Sequence, residues 1–209
     1  MKKVIVILFS LALLVGFTVS TASAGVYISG NLGAVFLSDA DFYIDDFNMN
    51  GEFAFDNGAV ATLAIGTSIG NAGRIEMELA SRANDFDEIR YDDYGTLDAD
   101  GDVTTGSLMG NAYYDFKNES RLTPFIGGGL GFANVEYDID SIGGEDVYNA
   151  KDDDDVMAYQ LMLGASFAAT DHLNIDLQYR FFGTEDPEFD DIDVEYQTHN
   201  VMLGLRYSF

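Results

Sequence analysis

Apolar and polar residues alternate along most of this chain with a period of two, the pattern of β-strands that turn one face to an apolar environment. Eight runs of this kind are predicted, over residues 25–37, 58–68, 74–83, 104–116, 122–135, 156–168, 173–182 and 196–209. Parity holds within each run. In the third, Arg74, Glu76, Glu78 and Arg82 share one face, and Ile75, Met77 and Leu79 share the other. In the fourth, Asn111 and Asp115 oppose Leu108, Ala112, Tyr114 and Phe116. In the seventh, Asn174, Asp176, Gln178 and Arg180 oppose Ile175, Leu177, Tyr179 and Phe181. In the eighth, Asn200, Gly204, Arg206 and Ser208 oppose Val201, Leu203, Leu205, Tyr207 and Phe209.

The connections alternate too. Residues 69–73, 117–121 and 169–172 are short joins, and the other four connections are long. Each run is about long enough to cross a bilayer at a tilt. The pattern predicts an all-β protein, an eight-stranded antiparallel up-and-down transmembrane barrel. Short turns fall on the periplasmic side and long loops on the extracellular side. A soluble barrel would show the same alternation with the faces exchanged. The export signal, the one-sided loop lengths and the apolar-aromatic last strand ending at Phe209 favour the membrane.

That export signal occupies residues 1–24. Lys2 and Lys3 precede an apolar run over 4–15, and small residues lead to Ala22-Ser23-Ala24, an A-x-A cleavage pattern. Cleavage is expected before Gly25, leaving 25–209 as one barrel domain destined for the outer membrane. The chain has no cysteine, so disulfides do not hold it together.

Charge sharpens the picture. The chain carries 36 acidic and 10 basic residues, a formal charge of −26. That sign argues against nucleic acid as a partner. Of the 36 acidic residues, 30 fall in the four long connections. The barrel body is therefore nearly neutral, and the acidity forms a crown on one side. The strand face opposite the lipid carries Arg74, Arg82, Arg180 and Arg206 against Glu76, Glu78, Asp115 and Asp176, four against four. Buried charges persist when paired, and an eight-stranded barrel is just wide enough for side chains to fill. A plugged, salt-bridged interior is expected in preference to an open pore.

Several segments resemble the outer-membrane β-barrel domain family of opacity-type surface antigens and OmpA-like membrane domains. Tyr27-Ile28-Ser29-Gly30-Asn31-Leu32-Gly33 is similar to its opening strand. Arg74-Ile75-Glu76-Met77-Glu78 resembles its R-x-E-x-E strand, and Asn111-Ala112-Tyr113-Tyr114-Asp115-Phe116 its N-x-Y-Y-D-F strand end. Residues 124–131 resemble its glycine-rich fifth strand, with Phe125 where tyrosine is usual. Tyr179-Arg180-Phe181 and residues 204–209 are similar to its last two strands. The resemblance implies an eight-stranded outer-membrane barrel. It also implies that Tyr207 and Phe209 form the signal read by the barrel-assembly machinery. It does not imply one function, since family members serve as anchors, adhesins, antigens and narrow porins.

Candidate chemistry is sparse. Of the two histidines, His172 falls in a short periplasmic turn, and His199, near the outer part of the eighth run, has its nearest hydroxyl, Thr198, on the opposite face. Asp98, Asp100 and Asp102 alternate in the second long connection and offer hard oxygens for a weak calcium site. The twelfth position counted from Asp98 is Met109, which departs from the EF-hand pattern. No firm metal site and no cofactor are expected, beyond divalent cations held loosely at the acidic loops. The expected partners are outer-membrane lipid, lipopolysaccharide and the assembly machinery, with the chain a monomer. The sequence supports a non-enzymatic surface protein, an anchor displaying acidic loops with structural or adhesive work. The alternative is a narrow porin for small solutes.

Overall fold

The computed structural model describes residues 25–37, 40–44, 49–55, 57–91, 95–142, 145–185, 188–189, 192–193 and 196–209. The expected signal peptide, residues 1–24, lies outside the described residues.

Eight long strands close into an antiparallel barrel: β1 (Val26–Leu37), β4 (Gly58–Ile69), β5 (Gly73–Tyr91), β6 (Gly95–Asp115), β7 (Leu122–Ile142), β8 (Glu145–Ala168), β9 (Leu173–Thr184) and β12 (Gln197–Ser208). Each pairs with the next, and β12 pairs back onto β1. Closure leaves no unpaired edge at membrane depth, which the absence of water there demands. The first and last strands meet in register, Leu32 opposite Leu203 and Tyr27 opposite Ser208. Backbone N–H groups of Ser208 and Phe209 donate to the carbonyls of His172 and Val26. These bonds tie the end of the chain to the rim.

The three short turns connect β4–β5, β6–β7 and β8–β9. The first takes Gly70 at φ 59°, a left-handed conformation that glycine adopts without steric cost. In the second, the Asn118 side chain accepts from the Ser120 N–H and donates to the Leu122 carbonyl.

The opposite end differs in form from a set of loops. A hairpin of β2 (Ala40–Ile44) and β3 (Met49–Phe55) pairs through β3 onto the far end of β5. The second and third long connections are mostly ladder: β5–β6 pairing runs up to Tyr91 opposite Gly95, and β7–β8 pairing up to Ile142 opposite Glu145. A short pair, β10 (Glu188–Phe189) and β11 (Ile192–Asp193), sits in the fourth. Beyond the lipid, outward residues need not be apolar. Asp and Glu therefore occupy them, the alternation fades, and strand continues where polar loop was expected. β7 has 21 residues, about 70 Å at ~3.4 Å per residue. Tilted near 40°, it rises roughly 50 Å, against about 30 Å of hydrocarbon.

The apolar face is outside. Leu32, Ile65, Met77, Leu108, Leu130, Leu161, Leu177 and Leu203 make a belt with one residue from each barrel strand, all exposed. Aromatic rings border it. Tyr114, Phe116, Phe167, Tyr207 and Phe209 line the short-turn rim, and Phe36, Phe132 and Tyr159 the other. Such paired girdles mark the two membrane–water interfaces.

Candidate functional site

The inward face is polar and almost wholly sealed. Arg82, Arg180 and Glu78 are 0% exposed, and Arg74, Glu76, Asp115, Asp176 and Arg206 are buried. The strand pleat places them there, since residues i and i+2 share a face.

Near the short-turn end, Arg74 holds Asp115 with Nε and Nη2, at 3.0 and 2.9 Å to Oδ1. The Arg74 guanidinium also lies 4.4 Å from the centre of the Tyr113 ring. Arg206 grips Asp176 with the same edge, Nε to Oδ2 at 3.0 Å and Nη2 to Oδ1 at 3.3 Å. Its Nη2 also donates to the Ser166 hydroxyl. Halfway up, Arg180 meets Glu78 end-on, Nη1 to Oε1 at 2.6 Å and Nη2 to Oε2 at 2.8 Å. Gln160 donates to Glu78 and to Asn111, and Gln178 donates to Asn31, which donates to Thr62. Polar side chains thus span the lumen from wall to wall.

Equal numbers of charges do not make equal numbers of pairs. Among the described residues three of the four arginines reach a carboxylate. Glu76 instead accepts from the Tyr113 hydroxyl at 2.6 Å, the Tyr27 hydroxyl at 3.1 Å and Asn111 at 3.3 Å. Arg82 donates to Ser107 and stacks 3.7 Å over the Phe182 ring. The roles of Tyr27, Tyr113, Asn111 and Gln160 are not written in any charge pattern. Their inward parity was the available signal. Glycines clear the space, as a Cβ on Gly66 would meet the Tyr27 ring and one on Gly204 the Asn31 amide.

From the level of Glu78 upward, around Arg82 and beyond it, an apolar group closes the lumen: Val103, Met109, Ala133, Val135, Val156, Ala158, Phe182 and Tyr196. Where β7 projects beyond the belt, burial holds the Tyr137 hydroxyl above its ordinary pKa, and nearby Tyr196 adds to this.

The outer surface near the end opposite the short turns is uneven around the barrel. On the β6–β8 side it carries Asp102, Glu136, Asp138, Asp153 and Asp155, with Asn134 donating to Asp153 and Asp155. On the β9–β12–β1 side it carries Phe181, His199 and Phe36. The Tyr179 hydroxyl lies 2.6 Å from Nδ1 of His199, and the two rings are stacked. His172 lies at the opposite rim against Tyr207. Tyr207 and Phe209 point outward there with their rings edge to face.

Asp98, Asp100 and Asp102 belong to β6 and not to a loop. Extended backbone runs past an ion instead of wrapping it. The side chains of Asp98 and Asp100 lie outside the described residues, and Asp102 accepts from the Thr104 hydroxyl. Among the described residues no group of three or more potential ligands gathers at metal-binding distance.

A closed eight-stranded barrel with an apolar belt, two aromatic girdles and a polar interior is an integral outer-membrane protein. The chain belongs to the outer membrane protein beta-barrel domain family, which matches residues 9–209. It is 26% identical to outer membrane protein PagN of Salmonella typhimurium, over 91% of this chain and 93% of PagN. It is 27% identical to RC1281, a candidate adhesin of Rickettsia conorii, over 87% of this chain and 81% of RC1281. The fold is similar to that of Neisserial surface protein A, with a TM-score of 0.60 at 16% identity, over 89% of this chain and 98% of that one.

Proposed function

We propose that this protein is a non-enzymatic surface anchor whose paired strands carry an acidic, adhesive face well clear of the membrane. The observation that carries this reading is the combination of a filled lumen with ladders that outrun the bilayer. Arg180, Glu78, Gln160 and Asn111 link opposite walls halfway up, and Phe182, Tyr196 and Val135 close the space above them. A channel has no use for such a plug, and a membrane anchor has no use for β5–β6 and β7–β8 ladders that continue tens of ångströms past the apolar belt. Similarity to a candidate adhesin supports the same reading. His199 serves as an interfacial side chain, bonded to Tyr179 and flanked by Phe181.

The test uses whole cells displaying the full chain. A second strain displays a version in which residues 86–101 and 139–150 are each replaced by a two-residue hairpin turn, so that Asp85 stays opposite Asp102 and Asp138 opposite Lys151. The full chain should bind a host-cell or abiotic surface, and the trimmed barrel should fold and not bind. Equal binding by both, or steady single-channel openings from the purified protein, would reject the proposal in favour of a narrow porin.

A further inference from the structure

Lys117 and Arg121 stand in the single turn between β6 and β7, and both are exposed. Among the residues whose side chains are described, every other lysine or arginine is a buried, inward-facing arginine. Among the described residues neither Lys117 nor Arg121 reaches a carboxylate, Glu119 between them included. With two cations and one carboxylate, the turn is a positive spot on a strongly acidic chain.

The turn is tied from within. The Asn118 side chain donates to the carbonyls of Phe116 and Leu122 and accepts from the Ser120 N–H. The Ser120 hydroxyl donates to the Leu122 carbonyl. Two further bonds join the turn to the wall, from the Phe116 N–H to the Pro124 carbonyl and from the Ala168 N–H of β8 to the Arg121 carbonyl. The charged side chains are therefore what the turn offers to its surroundings.

An apolar border runs beside it. Tyr114 and Phe116 face outward on β6, their rings edge to face at 5.1 Å. Leu122 faces outward on β7, opposite Phe167 of β8. These residues belong to the girdle at the short-turn rim, the level where lipid chains give way to headgroups. Lysine and arginine at that level lay their stems along apolar surface and extend their charges to the headgroups. A positive turn with an apolar border matches a phospholipid at both of its ends. A soluble anion or a cell-wall polymer would use the cations and leave the border unused.

We propose that Lys117 and Arg121 form a docking site for the phosphate of an anionic phospholipid in the leaflet at the short-turn rim, with its acyl chain along Phe116 and Leu122. This goes beyond the adhesive reading, and either can fail without the other.

The chain contains no tryptophan, so one introduced indole reports on one place. The full chain carrying Leu122→Trp is folded into phosphatidylcholine vesicles. Fluorescence quenching by chain-brominated phosphatidylglycerol is compared with quenching by chain-brominated phosphatidylcholine. The ratio of the two binding constants should favour phosphatidylglycerol, by up to about fivefold for each basic residue at the surface. Adding Lys117→Gln and Arg121→Gln should return the ratio to one. Phe132→Trp, on the same strand at the opposite rim and on the side of Glu136 and Asp155, should give a ratio at or below one. Should Leu122→Trp fail to fold, Phe167→Trp across the ladder takes its place. Equal quenching by the two lipids at the turn overturns the proposal, as does an excess that the paired glutamine variant leaves intact or that Phe132→Trp shows equally. Equal quenching together with sedimentation on insoluble peptidoglycan that the glutamine variant abolishes would overturn it in favour of a cell-wall contact.

Discussion

Arg180 and Glu78 meet end-on in the middle of the barrel, 102 residues apart in sequence, with two charge-assisted bonds of 2.6 and 2.8 Å. Both are 0% exposed. Removing one partner strands the other charge. Arg180→Met and Glu78→Gln should each lower the unfolding free energy in lipid vesicles by about 3–5 kcal/mol. The double variant should recover much of that loss, because it leaves no orphan ion. Simple addition of the two single losses would contradict the pairing.

Tyr113 donates to Glu76 at 2.6 Å, and Tyr27 donates to the same carboxylate at 3.1 Å. Hydrogen bonds to a buried charged group contribute about 1.5–3 kcal/mol. Tyr113→Phe should therefore destabilise by about that amount, and Tyr27→Phe by less. Urea titration monitored by tryptophan-free near-ultraviolet absorbance checks the order, since the chain contains no tryptophan.

Gly66 leaves room for the Tyr27 ring, which a Cβ at this position would strike. Gly66→Val should displace Tyr27 from Glu76 and cost about 1–3 kcal/mol through overpacking. Combining it with Tyr27→Ala, which vacates the space, should restore part of the loss.

Leu203 sits in the belt at 60% exposure. Leu203→Arg should cost about 2–4 kcal/mol in a bilayer, and Thr104→Arg, on the projecting part of β6, no more than about 1 kcal/mol. Equal costs would move the membrane boundary off the belt.

The strands and their facing were legible because lipid outside and a narrow lumen inside impose opposite demands on alternate residues. Ile75 and Met77 against Arg74 and Glu76 state both demands within four positions. The pairing was not legible. Nothing in the composition says that Arg180 selects Glu78 while Glu76, two residues away on the same face, takes tyrosine hydroxyls. That choice depends on cross-barrel distances set by strand stagger. The projecting ladders were hidden for a related reason. Outside the lipid both faces of a strand tolerate polar residues, so the run Asp98, Asp100, Asp102 reads as loop although its backbone pairs as strand.

The uneven rim gives the barrel a front and a back in the plane of the membrane. Two copies approaching through β6–β8 bring Asp102, Glu136, Asp153 and Asp155 against their counterparts, within a Debye length of about 8 Å at physiological salt. Approach through β9, β12 and β1 sets Phe181, His199 and Phe36 against their counterparts, with no carboxylate among them. Contact between copies through the β9–β12–β1 sector would therefore bring fewer like charges together than contact through the β6–β8 sector.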